Sequence, residues 1–483
     1  MDAAPAPVRA TSLLGWGLAF GLVVDQVTDG PPGIGILLTS TVAAVGVAIV
    51  ARPRPQAIAF LVAGVASVSF TVVRASPVLA VLDLLCGVGL FALAAAFARE
   101  GVVARTGVRA YVARAFGWAA AIPAAVVSLL RPLAKLLPGR RRPLVVPRAL
   151  LIAFPVGIAF AVLFASADPV FAKLVGTPFE RLSLGEIPRH VVVVAFGAVA
   201  FSTLAIRSSV PIRLGRSAQP IDGGGLRPAD WISLLATVDA VFALFVGVQL
   251  FTFFGGRRYV SDVTGLTFSE YARSGFWQML AAATLTGLVI AASWVGGRPT
   301  SSGRKVWFTT LASALVGLSL VVLASAFQRL VLYETEYGYT WPRLIPHAAI
   351  LLTAALLACG LVAILSGRTI WLPTAALCLG LVTVAGLNLL DPEAFIAERN
   401  IARVARGYEL DTQELASLSA DAAPAIANAL PELAPPIRHK VERDLSCLRA
   451  ELRSEVVRFG SASFNLARDI ALERLNGLRL PVC

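Results

Sequence analysis

The sequence predicts an all-α fold: a polytopic transmembrane helix bundle of about 11 spans, followed by a small C-terminal extramembrane helical domain. Three observations carry that prediction. Of 483 residues, 57% are hydrophobic and only 15% charged, whereas soluble globular proteins carry about 25% charged residues. The apolar residues are gathered into runs near the roughly 20 residues that cross a hydrocarbon core. From Asp391 onward the runs stop, and residues 391–483 carry 12 basic and 14 acidic side chains. The chain therefore divides into a transmembrane part, 1–390, and a helical domain, 391–483.

The apolar runs fall at 13–27, 33–51, 57–73, 77–98, 149–166, 190–206, 230–254, 275–295, 306–327, 344–366 and 370–390. The first has no small-residue cleavage site before Pro31-Pro32, so it reads as a retained span rather than a signal peptide. Residues 116–137 are apolar but short, contain Pro123, and run into Arg131, Lys135 and Arg140-Arg141-Arg142. Loop charge decides how that segment lies. If it lies in the membrane plane and the N-terminus is cytoplasmic, 21 basic loop residues fall inside and 9 outside; if it spans, the split is 15 and 15. Cytoplasmic loops favour Arg and Lys, so the first arrangement is expected. The N-terminus is then cytoplasmic and the C-terminus extracytoplasmic.

The net charge of +13 belongs to the same bias. Residues before 391 hold 30 basic and 15 acidic side chains, so the excess lies in the loops and points to no nucleic acid. The cytoplasmic segment 99–148 is strongly basic and is a candidate for contact with anionic lipid headgroups. The alternative is a charge run that only fixes orientation. Partners beyond the lipid bilayer have no sequence signal, and no protein partner is indicated.

Within the tail, Pro392 suits a first helical position and Gly407 a helix stop. Asp411 followed by Glu414 has capping-box spacing. Pro424, Pro431 and Pro435-Pro436 punctuate further helices, and Ile437 to Phe459 is periodic with Arg/Glu pairs. Four or five helices are expected at the outer membrane face.

Cys86, Cys359 and Cys378 lie inside apolar runs and act as small hydrophobes. Cys447 and Cys483 lie in the tail, and no bond is expected between them, because Cys483 is the last residue and chain ends are usually mobile. His190, His347 and His439 are far apart and no C-x-x-C occurs, so no metal and no cofactor are expected.

Two groups of residues are candidates for function. Asp83, Asp239 and Gln249 are polar side chains inside apolar runs, where a carboxylate is expensive and needs a partner or a task. The bland reading is a hydrogen-bonded packing acid. Asp25 and Asn388 lie nearer the outer boundary and read as interfacial. The second group sits in two polar stretches, 255–276 and 328–343, read as outer loops that contact each other. They contain Glu270, Tyr271, Arg273, Arg329, Tyr333, Tyr337 and Arg343. Acids and arginines there suit either an anionic ligand or loop-locking pairs, such as Glu270, Glu334 or Glu336 with Arg343 or Arg273. No G-x-S-x-G, P-loop or H-E-x-x-H is present, so no catalytic residue is indicated.

Several of these residues carry a resemblance. Gln249, Gly255-Gly256, Gly265-Leu266-Thr267, Glu270 to Arg273 and Gly275-Phe276 resemble a signature of the bacterial domain of unknown function family 4173. Arg329, Leu332-Tyr333, Tyr337-Gly338, Thr340 and Arg343 continue it, as do Asn388, Asp391, Asn400, Leu418 to Asp421, Pro424 and Asn465. The resemblance covers most of the chain from about residue 150. It implies a multi-pass bacterial inner-membrane protein and brings no activity or ligand with it.

Three function classes remain. One is a transporter or permease-like protein with a polar path through Asp83, Asp239 and Gln249. Another is an envelope sensory or assembly protein that binds partners through its outer loops and tail. The third is a membrane enzyme acting on a lipid-linked substrate.

Overall fold

The computed structural model describes residues 17–22, 24, 30–99, 102, 194, 197–205, 208, 228, 231–247, 276–297 and 301–483. Among these residues the regular structure is helical, with no strand. Helices α1 (Ile34–Ala51), α2 (Pro55–Val73) and α3 (Pro77–Ala96) form an up-down-up set joined by short turns. Each is predominantly apolar, and Pro55 and Pro77 open α2 and α3 at a first-turn position where the missing N–H costs nothing. Between α2 and α3 the backbones come close at Gly64 and Gly87. A Cβ on Gly64 would sit 2.6 Å from the Phe91 ring, and one on Gly87 2.6 Å from a Val68 methyl. Small residues at such a crossing let helices pack tightly where no hydrophobic force drives them together.

The next helices are α4 (Trp231–Gly247), α5 (Phe276–Gly297), α6 (Ser302–Tyr337), α7 (Trp341–Ser366) and α8 (Leu372–Leu390). Among the described residues six helices, α1, α2, α3, α6, α7 and α8, are long and apolar enough to cross a membrane. This is a multi-pass membrane protein. Two apolar clusters hold the described part of the bundle. One joins α1, α2 and α3 to Phe201, Leu204 and Ala205. The other joins α4 to α7 around Phe308, whose ring lies 5.7 Å from Trp231 and 5.2 Å from Trp294. A polar contact crosses this second cluster between α5 and α6: Ser319 Oγ donates to Thr286 Oγ1 at 3.3 Å.

Helix α6 corrects an expectation. Gln328 to Tyr337 is not a loop but the continuation of a 36-residue helix, and only 338–340 separate it from α7. At 1.5 Å per residue it is about 54 Å long, well beyond a hydrocarbon core of about 30 Å. Polarity marks where α6 leaves the apolar layer, not where it stops. It stops at Gly338, whose φ of +81° suits glycine and whose N–H bonds Glu334 O at 2.8 Å.

The tail forms α9 (Pro392–Val404), α10 (Thr412–Ser417), α11 (Ala423–Ala429), α12 (Pro435–Phe459) and α13 (Leu466–Asn476). The local signals act as the sequence suggests. Asp411 caps α10 by accepting from Gln413 N–H and Glu414 N–H, and Gly407 adopts φ +86° after α9. The tail core includes Ile396, Leu415, Ala423, Leu445 and Leu475, and it takes in Leu344 of α7 with Ala75, Tyr339 and Trp341 packed against it. Tail and bundle end thus share one core.

Cys447 and Cys483 are disulfide-bonded, with Cα atoms 4.9 Å apart. The expectation of a free chain end is overturned because the end is tied down. Arg449 donates to Leu475 O and Leu478 O, and Leu478 and Leu480 pack on the tail core.

Candidate functional site

The polar chemistry of the described residues is concentrated in a seam between the bundle end and the tail. Its centre is the turn between α2 and α3, residues 74–76. Asp421, in the turn before α11, accepts from Ala75 N–H and Ser76 N–H, both at 2.8 Å, through Oδ2. A carboxylate there faces the N-terminus of α3, where unpaired N–H groups and the helix dipole favour negative charge. Arg74 donates from Nε to Asn388 O at 2.9 Å and pairs through Nη1 with Asp391. Its Nη1 also lies 4.0 Å from Asp421 Oδ1. Asn465 closes the turn from the other side by donating to Thr71 O at 2.9 Å and Arg74 O at 2.8 Å.

Asp391 has φ +54°, ends α8, and caps α9 by accepting from Ala394 N–H. One residue therefore turns the chain from the last membrane helix into the tail. Two further clamps hold the α6–α7 turn. Asn400 accepts from Tyr339 N–H and donates to Tyr339 O, and Glu393 accepts from the Trp341 indole N–H at 2.9 Å and from Ser419 N–H. Arg403 donates to the carbonyls of Thr335 at 2.9 Å and Glu336 at 2.7 Å, the open C-terminal end of α6. Gly338 permits this approach, because a Cβ there would lie 2.5 Å from Arg403 Nη1.

Burial sets the electrostatics of the seam. It pushes the Asp421 carboxyl up to about 7, with Asp391 and Glu393 adding to the shift while Ser76 N–H and Arg74 oppose it. Asp391 is raised for the same reason, against the pull of Arg74.

Of the intramembrane candidates, Asp83 is fully buried on α3, and its Oδ1 accepts from Asn388 Nδ2 at 2.8 Å. Asn388 is 1% exposed, which corrects its interfacial reading. It faces α3 rather than headgroups because it is the one α8 residue that is buried. Asp83 Oδ2 and Asn388 Oδ1 have no hydrogen-bond partner among the described residues. Asp239 lies half-buried on α4, with both carboxylate oxygens shielded and unpartnered among the described residues. The two acids sit on helices of different apolar clusters. Gln249, Glu270, Tyr271, Arg273 and Asp25 lie outside the described residues, as do the 255–275 stretch and most of 99–148.

Tyr333, Tyr337 and Arg343 come together at the end of α6. Arg343 donates to Tyr337 O at 2.8 Å and Gly338 O at 2.7 Å, and its guanidinium lies 4.6 Å from the Tyr333 ring centre. It caps the helix end, and its charge also acts on the carboxyls of Glu334 and Glu414. Arg329 lies on the same helix, partly exposed. Glu334 is buried, with His347 Nδ1 at 3.5 Å.

Residues 58–429 match the model of a family described as Domain of unknown function (DUF4153). The chain belongs to DUF4153. That number differs from the 4173 of the sequence resemblance. No curated protein and no solved structure matches the DUF4153 chain. The residues that carried the resemblance in the second half nevertheless have a common place: Asn388, Asp391, Asn400, Ser419, Asp421 and Asn465 all bond within the seam or just beneath it. Sequence reasoning missed Arg74, Glu393 and Arg403. The available signal for Arg74 was an arginine between a span and a Ser-Pro helix start; the other two looked like ordinary residues of a solvated helix.

The seam holds carboxylates, amides and guanidinium groups already engaged with each other or with backbone. One hydroxyl lies beside a carboxylate there: Ser419 Oγ donates to Asp421 Oδ2 at 3.3 Å. Most of the other contacts attach the tail to the bundle end.

Proposed function

We propose that this DUF4153 protein is a permease-like protein of the bacterial inner membrane, with a polar path that includes Asp239, Asp83 and Gln249. The observation that carries the reading is Asp239. A carboxylate on an apolar helix, shielded and without a hydrogen-bond partner among the described residues, is a costly feature to retain without a task. Asp83 has one partnered and one unpartnered oxygen, and it connects through Asn388 to the backbone carbonyl held by Arg74. The path would thus end beneath a fixed tail.

The reading includes about 11 spans, a cytoplasmic N-terminus and an extracytoplasmic C-terminus. Two observations support the orientation. The bundle end away from the tail carries Arg52, Arg54, Arg99, Arg304, Lys305 and Arg368, the bias of a cytoplasmic face. The Cys447–Cys483 bond suits an oxidising compartment.

Solid-supported membrane recording on reconstituted vesicles tests the function. A pH jump should displace charge in the wild type, and Asp239→Asn should abolish that displacement. A wild type no different from empty vesicles would overturn the reading. A second reading, an envelope protein that binds partners through its tail, is favoured by the folded, disulfide-closed tail. Silent vesicles together with a protein cross-linked to the tail in intact cells would decide for it.

A further inference from the structure

Within the tail, against the bundle end, lies a cavity of about 480 Å³. One helix supplies a continuous strip of its wall. Val441, Asp444, Leu445, Leu448, Leu452 and Glu455 recur at three- and four-residue spacing, so they form one face of α12. Leu415, Leu418 and Ile426 stand opposite, Ala75 and Pro77 close the side towards the bundle, and Cys447 is bonded to the chain end. The volume is that of a small-molecule site.

The charges on this wall are unequal. Asp444, Glu451 and Glu455 face one cation, Arg468. Arg468 is already committed: it donates to Pro32 O at 3.0 Å and Ser463 O at 3.3 Å, and its Nε lies 3.7 Å from Glu455 Oε2. Glu455 Oε2 is shielded from solvent and accepts no hydrogen bond among the described residues. Asp444 and Glu451 form no ion pair among the described residues, so two negative charges are left over beside an apolar wall.

We infer that this cavity binds an amphiphilic ammonium, a protonated amine on an apolar body. The leucine wall takes the body, and Asp444 and Glu451, with Glu455 beside its Arg468 partner, take the N–H donors. An anion is disfavoured by the same three carboxylates, and a simple metal ion would leave the apolar wall unused. The amine has two sources of shared chemistry, a free amine from outside or the headgroup of an ethanolamine lipid, since Ala75 and Pro77 lie where α2 and α3 meet the tail.

Titration calorimetry of the full chain in nanodiscs tests this, using octylammonium as the probe and octanoate as its charge-reversed control. In discs of choline and glycerol lipids, octylammonium should bind and octanoate should not. Asp444→Asn with Glu451→Gln should weaken octylammonium about tenfold, the equivalent of about 1.4 kcal/mol. If the lipid is the source, discs containing ethanolamine lipid should occupy the site. The free probe then weakens in those discs for the wild type, while the double variant shows no such difference. Equal binding of octanoate, an unchanged affinity in the double variant, or no octylammonium binding in either lipid would overturn the inference. Asp239→Asn should leave this binding intact, so the site and the permease reading can fail separately.

Discussion

Asn400 and Tyr339 exchange two hydrogen bonds. The Asn400 amide oxygen accepts from Tyr339 N–H at 2.7 Å, and its NH₂ donates to Tyr339 O at 2.8 Å. One side chain thereby satisfies both polar groups of a residue in the three-residue turn between α6 and α7. Asn400→Asp keeps the acceptor but removes the donor, leaving Tyr339 O without its partner. A loss of about 1–3 kcal/mol in unfolding free energy is expected, read by thermal unfolding in detergent. Asn400→Asp as stable as wild type would show that water replaces the donor without penalty.

The Asp83–Asn388 bond behaves differently because it is sealed. Asn388→Leu should destabilise by about 1–3 kcal/mol, since it strands a buried acceptor. Adding Asp83→Leu should restore part of the loss, because removing both polar partners is cheaper than removing one. Additive losses in the double variant would mean that the two side chains act independently.

Asp421 makes the seam sensitive to pH. Its folded carboxyl titrates at about 7 against a reference of 3.8, so between those values the folded chain binds more protons than the unfolded one. The contribution of this group to stability then falls as pH rises through that window, with a limiting slope of about 1.4 kcal/mol per pH unit. Unfolding midpoints recorded from pH 5 to 8 should decline, and Asp421→Asn should flatten the decline. A profile of unchanged slope in Asp421→Asn would assign the effect to another group.

The disulfide gives a prediction about compartment as well as stability. Cys447 and Cys483 are 36 residues apart, a loop whose closure stabilises a fold by about 3–4 kcal/mol on the chain-entropy account. Peptide mapping of protein alkylated in intact cells should recover the Cys447–Cys483 pair. Impermeant maleimide should label Glu336→Cys from outside and fail to label Arg368→Cys. Free thiols on both native cysteines would place the tail in a reducing compartment.

Much of the described bundle was legible because apolar runs and their punctuation coincide. The runs at 33–51, 57–73, 77–98, 344–366 and 370–390 lie on helices Ile34–Ala51, Pro55–Val73, Pro77–Ala96, Trp341–Ser366 and Leu372–Leu390. Proline starts and αL stops set those ends locally, within reach of a sequence pattern. The extension of α6 was not legible, since Gln328 to Tyr337 has the composition of a polar loop, and its last carbonyls are held by Arg403, a residue of the tail. Asn388 looked interfacial by depth, but its side chain is turned inward by a partner 305 residues away. The bond of Cys483 was missed for the same kind of reason: what anchors the chain end is Arg449, on another helix. Pairings over such separations leave no local periodicity.

The bond from Asn465 to Thr71 joins residues 394 positions apart. A ribosome finishes the α2–α3 hairpin long before it makes the residues that close over Arg74, Ala75 and Ser76. During that interval the hairpin end presents open carbonyls and N–H groups, and the Arg74 guanidinium lacks Asp391. Asp391 and Asp421 arrive first and can take Arg74 and the two N–H groups, and the carbonyls of Thr71 and Arg74 wait longest, for Asn465. The α2–α3 hairpin tip is thus finished chemically by residues made more than 300 positions later.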